Sequence, residues 1–140
     1  MAGLLTTATL DKSKDEFVIN TPCIEATKYW PGDLGRFSSH AALFSRLLID
    51  GQDHGVHCFL VQLRDVETWK RMPGVSCGDL GPTLGYNSKD NGWCQFDNVR
   101  VPRTNMLMGL TEVSKDGKVS RKGDPRVLYS VMMGIRTLIV

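Results

Sequence analysis

The stretch LTTATLDKSKDEFVIN, residues 5–20, decides the fold class of this chain. Its first part, residues 5–11, is rich in threonine and apolar side chains, a composition that favours a β-strand. Residues 11–15 are polar and predict a turn, and residues 16–20 resume a strand pattern. Two such runs around a short polar turn predict a β-hairpin.

The rest of the chain repeats this alternation of short strands and turns. Residues 24–29 predict a third strand. Residues 40–49 and 56–63 are predicted to pair as two strands of a hairpin around a loop at 50–55. Periodicity alone leaves a helix open for residues 40–49, but the hairpin loop that follows favours a strand. Further strands are predicted to open at residues 72–75 and to lie at 93–97 and 99–101. The chain is therefore predicted to be mainly β, a small antiparallel barrel or sandwich.

The C-terminal part differs in composition. Residues 113–125 contain Asp116-Gly117 and Gly123-Asp124-Pro125 and predict a polar loop. The strongly apolar stretch after Pro125 is too long for a typical strand and predicts a helix that begins at about residue 126 and continues to 140. The predicted organisation is a β-domain at 3–112, a loop at 113–125 and the start of a helical part at 126–140.

Composition limits the classes of function. The chain has 140 residues, a hydrophobic content of 41% and a net charge of +2, which suits one packed domain and is too small to indicate nucleic-acid binding. It contains no apolar run of membrane-spanning length and no secretory signal. The four cysteines lack C-x-x-C spacing, so we expect reduced and mostly buried thiols rather than disulfides or zinc ligands.

The segment KYWPGDLG, residues 28–35, is the best candidate for a binding site. Its aromatic side chains offer a large flat area, and Pro31 stiffens the chain. Gly32 lets a ligand approach the main chain closely, since it has no Cβ. A glycine-rich turn covered by buried aromatics is the alternative interpretation.

Seven stretches of the chain, in order and without a large gap, resemble the middle domain of peroxisomal acyl-CoA oxidases. They are TTATLD (6–11), DEFVINTP (15–22), KYWPG (28–32), GVHCFLVQLRD (55–65), GDLG (78–81), DNG to FDNVRVPR (90–103) and NMLM (105–108). This family, part of the acyl-CoA oxidase/dehydrogenase superfamily, oxidises fatty acyl-CoA to trans-2-enoyl-CoA with FAD. Oxygen accepts the electrons in that reaction and becomes hydrogen peroxide.

The resemblance implies specific roles for two residues. Gly32 corresponds to the position whose backbone lies against the flavin, and Trp30 would lie near the isoalloxazine ring. Tyr29 departs from the commoner Trp-Trp pair of the family. The resemblance also implies a peroxisomal location, although the C-terminal residues Leu138-Ile139-Val140 are not an address of the Ser-Lys-Leu type.

No catalytic residue is expected in this chain. The family's glutamate base lies in a C-terminal helical domain, and its Thr-Glu-x-Gly motif lies upstream of residue 3; neither has a counterpart here. We therefore expect the middle domain of an acyl-CoA oxidase, inactive alone, whose partners are the flanking helical domains, a chain docking on 127–140, or a second copy in a homodimer. The alternative is a non-catalytic binding or scaffold module.

Other candidate sites are weaker. His54 and His57 alone cannot satisfy zinc, which takes four ligands, so no metal is expected. His40 follows Ser38-Ser39, but no acid completes a catalytic triad. The basic residues between 115 and 126 favour a solvated loop over a phosphate site. The sequence contains no G-x-G-x-x-G and no P-loop motif.

Overall fold

Residues 5–20 form the predicted hairpin. In the computed structural model, β1 (Thr7–Asp11) pairs antiparallel with β2 (Glu16–Asn20), and Thr9 lies opposite Val18. Alternate side chains of both strands, Ala8 and Leu10 with Phe17 and Ile19, are buried. The period of two thus places one face of the hairpin in the core.

This hairpin lies inside a five-stranded sheet. The other strands are β4 (His40–Ile49), β5 (Gln52–Gln62) and β8 (Val99–Pro102), and the order is β5-β4-β1-β2-β8. Residues 40–49 are a strand, as predicted. The hairpin loop after them is shorter than predicted, because a tight turn at Asp50-Gly51, both with positive φ, returns the chain into β5 at Gln52.

Two smaller sheets complete the fold. The three-stranded sheet has the order β3-β7-β6 and is built from β3 (Lys28–Gly32), β6 (Val75–Asp79) and β7 (Asn91–Phe96). β9 (Thr111–Val113) and β10 (Val119–Arg121) form a two-stranded hairpin. This hairpin extends into residues 113–125, where a polar loop was predicted.

Three expectations about the strands need correction. The strand predicted at residues 24–29 begins only at Lys28, because Ile24–Ala26 form a 3-10 helix. The strands are not all antiparallel: β1 pairs parallel with β4, since the chain passes through β3 in the other sheet before it returns. No sheet formed by the described residues closes on itself, so the predicted barrel is wrong.

The two larger sheets share one hydrophobic core. It contains Phe17 and Phe59 from the five-stranded sheet, whose ring centroids lie 5.0 Å apart in an edge-to-face arrangement, and Cys77, Cys94 and Phe96 from the three-stranded sheet. All four cysteines are free, and three of them are buried. The fold is mainly β, and it is open rather than closed.

The structure describes residues 4–124 together with 127, 130, 133 and 134. The helix predicted from about residue 126 therefore falls largely outside the described residues. Within the described part of the chain, no helix has the length and apolar character needed to cross a bilayer.

Candidate functional site

A β-bulge in the edge strand β3 forms the centre of the candidate site. Tyr29 lies opposite Trp93 and Gly32 lies opposite Asn91, so Trp30 and Pro31 together face the single residue Gly92. Trp30 has a φ of 82°, a backbone conformation that is strained for a residue other than glycine. Bulges of this kind redirect side chains and are frequent next to functional sites.

The bulge turns an aromatic surface outward. Tyr29 and Trp30 are 66% and 43% exposed, and their ring centroids lie 6.4 Å apart with an angle of 39° between the planes. Trp30 is therefore not a core aromatic, which was one interpretation of its sequence position. The ring is available to a flat ligand at the edge of the sheet.

Gly32 ends β3 with its main chain exposed. Its φ lies outside the left-handed range, so backbone conformation does not require glycine here; the positive φ values fall on Trp30 and Asp33 instead. A Cβ at residue 32 would lie 2.7 Å from Cε of Lys89 and 3.8 Å from Oδ1 of Asn91. The absence of a side chain thus keeps free a small space whose nearest neighbour is the flexible side chain of Lys89.

Charged side chains surround this space without filling it. Lys89 forms a salt bridge with Asp33 at 2.9 Å, and both side chains are about half exposed. Beyond them lies a cleft of about 480 Å³, bordered among others by Arg36, Phe37 and Tyr86. Exposed ion pairs of this kind contribute little to stability, so Lys89 can move at small cost.

The loop at residues 33–38 is fixed from the side of β5 by a buried arginine. Arg64 is only 5% exposed. Its guanidinium donates hydrogen bonds to the carbonyl oxygens of Gly35 at 2.7 Å and Ser38 at 2.6 Å, and to Sγ of Cys77 at 3.2 Å. It forms no salt bridge among the described residues. Backbone carbonyl oxygens, rather than a carboxylate, therefore accept the hydrogen bonds of this guanidinium.

Asp90 holds the same loop from the opposite side. Its Oδ2 accepts hydrogen bonds from the backbone N–H groups of Arg36 at 2.6 Å and Phe37 at 3.1 Å. Trp69 adds a third attachment, because its indole N–H donates to the Arg36 carbonyl oxygen at 2.9 Å. Hydrogen bonds that involve ionised groups are the stronger ones, so the loop beside Gly32 is held in one conformation.

Three glycines allow β6, β7 and this loop to come together. A Cβ at Gly92 would lie 2.3 Å from the backbone nitrogen of Gly35 and 2.7 Å from the carbonyl oxygen of Gly78. A Cβ at Gly35 would lie 2.4 Å from Oδ1 of Asp90, an atom that is buried and accepts no hydrogen bond from the described residues. Glycine is required here for close backbone contact, because a Cβ would collide.

The structure brings the two predicted site residues together and adds others that the sequence argument missed. Trp30 stands in the bulge and Gly32 directly follows it. Arg64 and Asp90 were not predicted. Asp90 directly precedes β7 and Arg64 directly follows an apolar strand, and neither pattern indicates a partner some 50 or 30 residues away.

The weaker candidates do not assemble into a site. Among the described residues no group of three or more His, Cys, Asp or Glu side chains could hold a metal ion. Burial lowers the pKa of His57, and Nδ1 of His40 lies 3.1 Å from the Ser39 hydroxyl. In the basic region Lys122 pairs with Glu112 at 2.6 Å.

Comparisons with known proteins cover the whole chain. It is 49% identical over 140 residues to acyl-coenzyme A oxidase 3 of Yarrowia lipolytica, matching 100% of this chain and 20% of that protein. It is 46% identical over 142 residues to peroxisomal acyl-coenzyme A oxidase 1 of Arabidopsis thaliana, matching 99% of this chain and 21% of that protein. No family model matches.

Solved structures give the same result. The acyl-CoA oxidase of tomato, Lycopersicon esculentum, superposes with a TM-score of 0.90 at 48% identity, over 98% of this chain and 22% of that one. Acyl-CoA oxidase-2 of Caenorhabditis elegans, solved with FAD, ascaroside-CoA and ATP, gives 0.91 at 42% identity, over 95% and 20%. Over nearly its whole length the chain is therefore similar to peroxisomal acyl-CoA oxidases, and it spans about a fifth of the length of the relatives it matches.

Proposed function

We propose that this chain is the middle β-domain of an FAD-dependent acyl-CoA oxidase and forms the protein surface on one side of the flavin. The observation that carries the proposal is the bulge at Trp30-Pro31, which leaves the main chain of Gly32 exposed in a chain similar to this family. The reaction proposed for the complete protein is oxidation of fatty acyl-CoA to trans-2-enoyl-CoA with oxygen as acceptor, in the peroxisome.

The residues present fit an isoalloxazine ring. The space beside Gly32 is one that a Cβ would fill, and it is bordered by the movable side chain of Lys89. β3 is an edge strand, so some of its N–H and C=O groups have no strand partner and remain available to a polar ring edge. Trp30 supplies a flat apolar contact two residues earlier.

When bound, FAD would supply the hydride-accepting chemistry, whereas this chain would bind and orient the ring. The exposed backbone at Gly32 would hold the polar edge of the ring, and Trp30 would limit the access of water to it. Arg64 and Asp90 act indirectly, because they hold the loop that begins at Asp33. A fixed backbone is needed for such a contact, since a displacement of about 1 Å weakens catalysis strongly.

The proposal is tested by replacing the corresponding segment of the tomato acyl-CoA oxidase with residues 4–124 of this chain. We expect the chimera to purify with bound flavin and to oxidise palmitoyl-CoA. Gly32→Val in the chimera should then reduce the bound flavin at least about tenfold, because the added side chain occupies the flavin-facing space. The matched control is Gly109→Val, at an exposed glycine with an ordinary φ and no atom within 4 Å of an added Cβ.

The outcome also separates the two functional hypotheses. A chimera that folds but purifies without flavin contradicts the proposal and favours the scaffold module. Equal flavin content in the Gly32→Val and Gly109→Val chimeras contradicts the role of Gly32, even if the host enzyme is active. Circular dichroism and thermal unfolding of each chimera establish that it is folded before flavin is measured.

A further inference from the structure

Lys28 occupies an unusual place for a lysine. It is the first residue of β3, lies opposite Cys94 of β7, and reaches towards β4, where its Nζ donates a hydrogen bond to the carbonyl oxygen of Phe44 at 2.9 Å. No carboxylate of the described residues lies within salt-bridge distance of it. Lys12, Lys89 and Lys122, in contrast, each pair with an acid.

The surroundings of this amine are apolar. It borders a cavity of about 420 Å³ whose lining includes Leu4, Pro31, Leu34, Ala42 and Phe44, and Lys28 is the only charged residue among the described residues that line it. A cavity of this volume has room for a medium-length acyl chain.

Burial changes the chemistry of the amine. Desolvation lowers the pKa of Lys28 to about 8, although the nearby Cys94 opposes this shift. Burial also raises the pKa of Cys94 to about 12, so this cysteine remains a neutral thiol beside the lysine. A large fraction of Lys28 is therefore uncharged and nucleophilic at mildly alkaline pH, in contrast to an exposed lysine.

We propose that Lys28 is a site of covalent acylation by acyl thioesters, with the apolar cavity holding the acyl chain. The lone pair of the neutral amine attacks the thioester carbonyl carbon, the C–S bond breaks, and the thiolate that leaves takes up the proton lost by nitrogen. The products are an amide at Lys28 and a free thiol, so no oxidant or reductant is needed.

The choice of acyl-CoA as the acyl donor rests on the proposed function, because a segment of an acyl-CoA oxidase would be exposed to this thioester. The amide still has an N–H that can donate to the Phe44 carbonyl, while the buried positive charge is removed. Lys28 lies two residues before Trp30, so acylation would modify the strand that carries the bulge.

The test uses the unmodified chain. It is incubated at pH 8 with octanoyl-CoA and, separately, with the octanoyl thioester of N-acetylcysteamine, which has no nucleotide. Hydroxylamine then removes thioesters from cysteines, and peptide mass mapping follows the occupancy of each lysine over time. We expect Lys28 to be acylated at least about tenfold faster than Lys12 and Lys89, since its desolvated amine borders the cavity whereas carboxylates hold the other two amines in salt bridges.

Acylation of Lys28 no faster than that of Lys12 and Lys89 would overturn the proposal, and this comparison needs no variant that must fold. Lys28→Arg should abolish the fast phase, whereas Lys12→Arg, at a lysine that pairs with Asp50, should leave it unchanged. A fast reaction with the small thioester supports the proposal even if the chimera binds no flavin. Failure with both thioesters overturns it and leaves the flavin proposal unaffected.

Discussion

The guanidinium of Arg64 donates a hydrogen bond of 2.7 Å to the carbonyl oxygen of Gly35, across 29 residues of sequence. The arginine lies just beyond the end of β5, and the glycine lies in the loop that follows the bulge of β3. This contact connects the five-stranded sheet to the candidate flavin-contacting segment. The position of the loop therefore depends on a side chain that does not itself border the exposed space at Gly32.

Arg64→Met should destabilise the chain by about 2–4 kcal/mol, because it leaves the carbonyl oxygens of Gly35 and Ser38 without their charged donor. Urea unfolding measures the free energy. Arg36→Ala is the control, since Arg36 is exposed and lies 3.8 Å from Asp79, and its loss should cost no more than about 1 kcal/mol. Equal losses of unfolding free energy in the two variants would show that the hydrogen bonds of Arg64 to the loop do not stabilise the chain.

The sequence predicted the strands well because hairpins depend on local signals. Alternating apolar residues and the polar turns at 11–15 and 50–51 specify β1–β2 and β4–β5. The parallel pairing of β1 with β4 has no local signal, since it depends on where the chain returns after β3. Likewise, Trp30 and Gly32 stand out in sequence, but the partners of Arg64 are backbone carbonyls, which carry no sequence pattern.

Gly92→Ala should be among the most destabilising single substitutions in the chain, with a loss of about 3 kcal/mol or more. The new Cβ would lie 2.3 Å from the backbone nitrogen of Gly35, and a backbone atom cannot move aside as a side chain can. Gly109→Ala is the matched control, because nothing lies within 4 Å of its added Cβ. A thermal midpoint for Gly92→Ala equal to that of the control would contradict the close contact.

Trp30→Gly should separate flavin binding from stability. Glycine relieves the strained φ of 82°, which offsets part of the burial lost with a ring that is 43% exposed, so the unfolding free energy should fall by no more than about 2 kcal/mol and the chimera should remain folded. Flavin binding by the chimera should weaken about tenfold or more, because the flat contact is lost.

Trp69→Gly is the control for this experiment. Trp69 is also 46% exposed with a φ of 59°, yet it lies outside β3. We expect flavin affinity to remain within about threefold of the unsubstituted chimera, because Arg64 and Asp90 still hold the loop that Trp69 contacts. If both tryptophan variants lose flavin equally, the effect is not specific to the bulge.

Lys28→Met should change how the stability of the chain depends on pH. Below about pH 8 the amine is protonated in both the folded and the unfolded state, so folding places a charge beside apolar surface at full cost. Between about 8 and the ordinary value of 10.5 the folded state has lost this proton while the unfolded state retains it. The unfolded state then binds more protons, so this contribution makes the stability rise with pH.

The methionine variant lacks that contribution. We therefore expect Lys28→Met to be more stable than the unsubstituted chain at pH 7, with an advantage that shrinks at pH 9. Urea unfolding of both proteins at the two pH values gives the difference.

The neighbouring Cys94 also contributes to the pH dependence. Burial raises the pKa of its thiol from 9.0 to about 12, so this thiol lowers stability as pH rises above about 9, and it does so in both proteins. An advantage of Lys28→Met that is the same at pH 7 and pH 9 would mean that the amine keeps its charge, and acylation would then have no preference for Lys28.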